Sequence, residues 1–332
     1  MIFGEVSLEE AEGGLVAHAL VLPDRRLKKG HVLSRQDLEA LEAEGIQSLT
    51  IARLENGDVE ENAAATKLAA GMCSARIRAA DAFTGRVNLY AQTTGMFHAD
   101  KHLVDQFNRI SPAITLASLP DGVFVEAGRM VATVKIIPFA VAEELVDAAS
   151  RVAEQGQLLS FSPSISLRVG LVATQLPALK PSTMDKTARV LAERLTASRS
   201  EVIAELRVEH RADAVASALR ELEPNCDLLM VFGASAITDR HDVIPSGIEK
   251  AGGKVDHFGM PVDPGNLLLT GQLNSKVVIG APGCARSPAE NGFDWVLQRV
   301  VCGLPIDEDY VTGLGVGGLL MEITARPQPR EG

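Results

Sequence analysis

Residues 233–242 (GASAITDRHD) combine features that could hold a small anion. Gly233, Ala234 and Ser235 follow an apolar run, and small residues there let backbone amides approach a ligand closely. Asp239 and Asp242 bracket the same stretch, a spacing that could set two carboxylates around a magnesium ion held against a phosphate. Asp242 is equally well placed to cap a following helix, and the two roles are compatible. Pro264, Gly265 and Asn266 form a second candidate, although Pro-Gly is also an ordinary tight turn. A third stretch, residues 280–288 (GAPGCARSP), places Pro282, Gly283, Cys284, Arg286 and Ser287 between an apolar run and an expected helix. Backbone amides at a helix start with an arginine beside them suit an anion. Cys284 could be a nucleophile activated by that helix start, but no histidine near it in sequence is an obvious base. A small packed residue is the preferred reading. In residues 1–165 there is no nucleophile–base pair and no phosphate loop. His98 and His102 stand four apart, which would suit a metal only if one helix covered both, and no third ligand is in view.

The elements that must position these residues alternate regularly in the second half. Strands are expected at 167–173, 201–208, 227–232 and 254–260, with helices at 182–197, 211–222 and 242–251. Short apolar segments follow at 267–269 and 276–279, and a helix is expected over 288–302. This rhythm predicts an α/β domain with a mostly parallel sheet covered by helices on both faces. Ligands of such sheets bind beyond the carboxyl ends of the strands, where the order of connection switches. All three candidate stretches leave strands.

The first half is a mixed α/β region of irregular pattern. Helices are expected over 34–45, opening on a capping serine, and over 60–72 and 100–110. A strand is expected at 47–54. Residues 123–139 read as a strand pair turning near Ala127 and Gly128. Glycine, serine and proline gather at 155–163, which sets the expected organisation: region 1–163, domain 164–325 and a proline-rich, linker-like tail, 326–332. The glycine run 313–318 lacks a preceding buried strand and reads as a packed turn or the start of a short helix. No G-x-G-x-x-G pattern with a later acidic residue supports a dinucleotide-dependent oxidoreductase.

Composition narrows the classes further. With 46% hydrophobic and 23% charged residues in 332, the chain can bury two cores. A net charge of −11 argues against nucleic-acid or membrane-surface binding, which needs a basic face. No apolar run approaches the roughly 18–20 residues of a membrane helix, and the start of the chain is acidic, so a cytoplasmic protein is expected. Four scattered cysteines suggest neither a zinc knuckle nor a disulfide framework.

The ordered set VFGASAITDRHDVIPSGIEKAGGKVDHFGMPVDPGN, then VVIGAPGCARSPAENGFDWVL, resembles the molybdopterin-binding domain of the MoaB/Mog-like and molybdenum-insertase proteins. The likeness spans about 140 residues. Three departures stand out: Phe232-Gly233-Ala234 where the family has Thr-Gly-Gly, Pro264-Gly265-Asn266 where insertases have Pro-Gly-Lys, and Ala281-Pro282-Gly283-Cys284-Ala285 where the family has Leu-Pro-Gly-Asn-Pro. PGCARSPAENGFDWVL, GVGGLLMEI, GRVNLYA and VATVKIIPFAV are similar to a bacterial subgroup in which this region precedes a cytidylyltransferase-like module.

The resemblance implies a ligand, molybdopterin, with its phosphate on the turns at 233–235 and 282–287. Asp239 and Asp242 would then act as catalytic and magnesium-binding residues, and a nucleotide would be a further ligand. It also implies a homo-oligomer and a fused or separate nucleotidyltransferase partner. Any catalysis would be phosphoryl or metal transfer driven by positioning and charge neutralisation. Two alternatives stay open: a non-catalytic carrier, favoured by the lost glycine and lysine, and a metal-dependent nucleotide pyrophosphatase of the competence-damage-inducible type.

Overall fold

The computed structural model describes residues 1–155 and 158–320, so the expected tail and residues 321–325 lie outside the described part. The chain divides into two compact units. One comprises Met1–Thr93 with Phe97–Phe161; the other comprises Thr94–Met96 and the chain from Ser162 onward.

The first unit is built from short strands spread over several small sheets. Near its start Ile2–Ser7 runs antiparallel to Ser48–Arg53, and Leu15–Val16 pairs on the other side. Helix Arg35–Ala43 opens on a capping box, Ser34 with Asp37, and its Leu41 joins Val16, Leu33 and Ile51 in a small core. A larger core lies under helices Glu61–Ala70, Lys101–Arg109 and Glu143–Ala153. The expected strand pair at 123–139 is corrected in one respect. Val123–Val125 and Met130–Ile136 are both strands and turn at Gly128 (φ +90°), but they belong to different sheets. Met130–Ile136 pairs instead with Ile114–Ser118 and Arg86–Ala91. His98 lies in the strand Gly95–Ala99 while His102 sits on the next helix, so no single helix carries both.

The second unit is a six-stranded α/β layer. Its elements are β1 (Arg168–Gln175), α1 (Pro181–Leu195), β2 (Glu201–Glu209), α2 (Ala212–Leu222), β3 (Leu228–Phe232) and α3 (Val243–Lys250). Then come β4 (Lys254–Phe258), β5 (Leu269–Leu273), β6 (Lys276–Ala281), α4 (Gly292–Val301) and α5 (Glu308–Gly313). The strand order is β2-β1-β3-β6-β5-β4. The first three pairings are parallel and the last two antiparallel, so the sheet is mostly parallel.

Every residue of β3 is buried, as in a strand covered on both faces. Leu229 and Val231 pack with Val215 and Leu219 of α2 and Ile244 and Ile248 of α3. Phe232, of opposite parity in the strand, meets Phe293 of α4 edge-on at 6.0 Å on the other face. Strands β5 and β6 form a hairpin turned by Asn274 and Ser275, both in the left-handed region. The expected helix over 288–302 begins only at Gly292. Asn291 caps it, its side chain accepting from the Phe293 amide, while Asp294 bonds back to the Asn291 amide. Residues Gly283–Arg286 form a separate 3-10 turn. The glycine run ends packed: a Cβ on Gly318 would collide with the carbonyl oxygens of Pro261 and Leu314.

Candidate functional site

The chain leaves β1 to form β2 on one side, then returns to place β3 on the other. The switch point of this sheet therefore lies between the carboxyl ends of β1 and β3, where Ala173 is registered with Phe232. Two side chains act there on one peptide. The Ala234 amide donates to Thr174 Oγ1 at 2.7 Å, and the Gly233 carbonyl accepts from Arg286 Nη2 at 2.7 Å. A Cβ on Gly233 would stand 2.6 Å from the Ser235 carbonyl oxygen and 2.7 Å from Ile244 Cδ1. Only glycine lets the chain turn here while the strand stays packed on α3.

Arg286 is the unusual member. Its Nη1 donates to Thr187 Oγ1 at 2.6 Å, and its guanidinium lies over the Phe232 ring, 5.5 Å from the centroid. Burial alone acts on its ionisation, pushing it down from the ordinary arginine value, and no carboxylate among the described residues opposes it. It nevertheless stays charged at neutral pH. A half-buried cation held by a hydroxyl, a carbonyl and a ring still has donors available to an anion.

A second arginine sets the loop that carries Arg286. Arg194 of α1 lies within 2.5 Å of Asp294 and donates to the carbonyls of Ala285 (2.9 Å) and Ser287 (2.7 Å). Both partners are largely buried, with side chains 9% and 14% exposed. Both α1 and α2 start on basic residues, Lys180 and Arg211, with no side-chain cap, whereas α3 and α4 are capped by Asp242 and Asn291. The first amides of α1 and α2 thus have no side-chain acceptor at the N-cap.

The remaining expected residues are placed as follows. Ser235 is exposed in the turn, and Gly283 is exposed with open space around its Cα. Asp239 is exposed; it accepts from the His241 amide at 2.7 Å and lies 2.9 Å from His241 Nδ1, and these contacts hold its carboxyl below the usual range. Asp242 caps α3: one oxygen accepts from the Val243 amide at 2.7 Å, the other from the Thr238 amide at 3.1 Å. Among the described residues no group of three or more His, Cys, Asp or Glu side chains is arranged to hold a metal ion.

Pro264, Gly265 and Asn266 pack against the start of α4. The Pro264 carbonyl accepts from the Gly292 amide at 2.9 Å, and the Asn266 carbonyl accepts from the Met260 amide at 3.0 Å. Gly265 has φ +139°, and a Cβ there would meet the Gly292 nitrogen at 2.7 Å. The Pro282 carbonyl accepts from the Ala285 amide, and Cys284 Sγ lies 3.7 Å from Asn291 Oδ1. Ser287 Oγ accepts from the Ala289 amide at 3.3 Å.

The structure therefore brings Gly233, Ala234 and Arg286 together. The Pro264 turn is bonded to the start of α4, and the two aspartates are bonded within their own loop. Thr174, Thr187 and Arg194 escaped the sequence reading. Thr174 left a signal, as the polar residue that closes the apolar run 169–173 (VGLVA); the other two, on α1, left none.

A family model described as a domain of unknown function matches residues 5–53, a small part of the first unit. No curated protein matches the sequence. Among solved structures, a molybdenum cofactor biosynthesis protein from Pyrococcus furiosus is 13% identical over 93% of this chain and 67% of its own, with a TM-score of 0.28. A molybdopterin biosynthesis MoeA protein from Pyrococcus horikoshii is 12% identical over 91% of this chain and 75% of its own, with a TM-score of 0.33. The molybdopterin biosynthesis enzyme MoaB from Thermus thermophilus is 17% identical over 42% of this chain and 98% of its own, with a TM-score of 0.28. At these scores the likenesses carry no argument about what this chain binds.

Proposed function

We propose that this chain binds molybdopterin, bare or in a nucleotide- or metal-loaded form, during molybdenum-cofactor biosynthesis or maturation in the cytoplasm. The observation that carries the anion half of this reading is Arg286, a half-buried guanidinium without a carboxylate, set beside Gly233 at the sheet's switch point. The pterin half rests on the resemblance of the ordered loops to the molybdopterin-binding family. Magnesium in this reading arrives on the ligand's phosphates, with Asp239 nearest to solvent, rather than in a cage of side chains. Self-association and a nucleotidyltransferase partner belong to the same proposal.

Within it, holding the ligand is favoured over turning it over. Both oxygens of Asp242 already accept backbone amides, and Asp239 is engaged by His241. Calorimetric titration with molybdopterin and with ATP, each with and without magnesium, is the test. Tight molybdopterin binding is expected. Silence with both ligands would remove the reading. Asp242→Asn keeps a good cap. A carrier should lose about tenfold or less in affinity, whereas an enzyme using this carboxylate should lose turnover by a larger factor.

A further inference from the structure

The peptide between Gly233 and Ala234 joins two hydrogen-bond chains that run away from it in opposite directions. On one side Arg286 donates both to the Gly233 carbonyl and to Thr187 Oγ1, and Thr187 in turn donates to the Thr183 carbonyl at 2.7 Å. On the other side the Ala234 amide donates to Thr174 Oγ1, which lies 2.8 Å from His210 Nδ1.

Thr174 is fully buried. A threonine hydroxyl has one hydrogen to donate, and among the described residues Nδ1 of His210 is the acceptor within reach of it. If Nδ1 carried the ring proton, Thr174 would receive two donors and its own hydrogen would be buried without an acceptor, a costly arrangement. The arrangement that satisfies every hydrogen puts the ring proton on Nε2.

His210 stands directly after β2, at the carboxyl end of the sheet and next to the end of β1, where its amide donates to the Gln175 carbonyl at 2.9 Å. The ring is half exposed, and its Nε2 has no hydrogen-bond partner among the described residues.

We propose that His210 is a ligand-contacting residue of this site: Thr174 fixes its tautomer, so that Nε2–H donates to an oxygen acceptor on the ligand whose anionic group sits on Arg286. This inference rests on the anion reading of Arg286 and adds to it a hydrogen-bond donor on the far side of the same peptide. A site with both would favour a phosphorylated organic molecule, with acceptor atoms spread beyond the phosphate, over a free inorganic anion.

Nitrogen-15 spectra of the histidine-labelled full chain test the tautomer before any ligand is added. The Nε2–H form is expected as the sole neutral form of His210 in the wild type and in Thr174→Ser, and a mixture of both tautomers in Thr174→Val. A proton on Nδ1 in the wild type overturns the proposal outright. Inorganic pyrophosphate and molybdopterin are then titrated in turn, with Arg286→Met as control.

The expected result is a saturable shift of His210 Nε2, larger with molybdopterin than with pyrophosphate. His210→Ala should lose about tenfold in affinity at an unchanged melting temperature, with part of it restored by His210→Gln, whose amide keeps a donor near the Nε2 position. Binding that depends on Arg286 while His210 neither shifts nor matters would overturn this inference and leave the anion site standing. Binding that ignores Arg286→Met, or no binding at all, would overturn the anion site and this inference with it.

Discussion

At Gly233 the backbone is bonded to two side chains, of which Arg286 keeps donors free; at Gly265 it is bonded to the backbone of the neighbouring helix. Both positions need glycine, since a Cβ would collide with the Ser235 carbonyl and Ile244 at the first, and with the Gly292 nitrogen at the second. Glycine after a strand therefore does not by itself distinguish a binding turn from a packing turn. The partners do. The Pro264 carbonyl ends on an amide that α4 must satisfy in any case, whereas the Gly233 carbonyl ends on a guanidinium with no counter-charge. The same contrast separates the two arginines: Arg194 is neutralised by Asp294 and holds the loop, while Arg286 is presented by that loop.

The strongest way to sharpen this contrast is Arg194→Met, which leaves Asp294 without its partner in a largely buried place. It should cost about 3–5 kcal/mol of stability, read by urea denaturation. A loss under about 1 kcal/mol would mean that the loop does not depend on Arg194. Arg286→Met should do the reverse. Affinity for molybdopterin should fall by about tenfold to a hundredfold, with stability unchanged or raised because an unpaired cation has been removed. A marked loss of stability instead would place Arg286 with Arg194, as structure.

Gly265→Ala comes next. Strain at φ +139° and a backbone collision should cost about 1–3 kcal/mol while the folded protein keeps its affinity. Lower affinity at full folding would break the distinction between the two turns. The smallest effect concerns Asp227, held at about 2 by hydrogen bonds from Arg168 at the opposite end of β3. A depressed carboxyl contributes stability above its unfolded value, near 3.9, and loses it as pH falls toward 2. The pair is partly exposed, so solvent screening should hold the loss below about 1 kcal/mol. Asp227→Asn should remove that slope between pH 5 and 2, and an unchanged slope would rule the pair out.

The second unit was legible because its signals are local. Apolar runs bounded by glycine and capping residues marked β1, β2, β3 and α2 to within a residue or two, and Asp242 announced the start of α3. What could not be read was pairing at a distance. Nothing local says that residues 123–125 and 130–136 part into different sheets. The α4 start was misplaced because the Pro288 signal was followed by a stronger one, the Asn291–Asp294 capping box. The site suffered most, since its decisive bonds join residues 60, 53 and 99 positions apart. Two chemically active-looking aspartates drew attention there, while Thr174 and Thr187 supplied the geometry.

One peptide plane, gripped at both edges, also sets the local polarity at the switch point of the sheet. Rotating the Gly233–Ala234 unit by half a turn would aim its N–H at the Arg286 guanidinium and its carbonyl at Thr174, setting donor against donor on one side. In the orientation observed, the Gly233 carbonyl is already taken up by the arginine and is not left free to face an anion there. Peptide reversal at a glycine is ordinarily an easy motion. Here the two flanking side chains act as a latch against it, and the turn keeps its polarity.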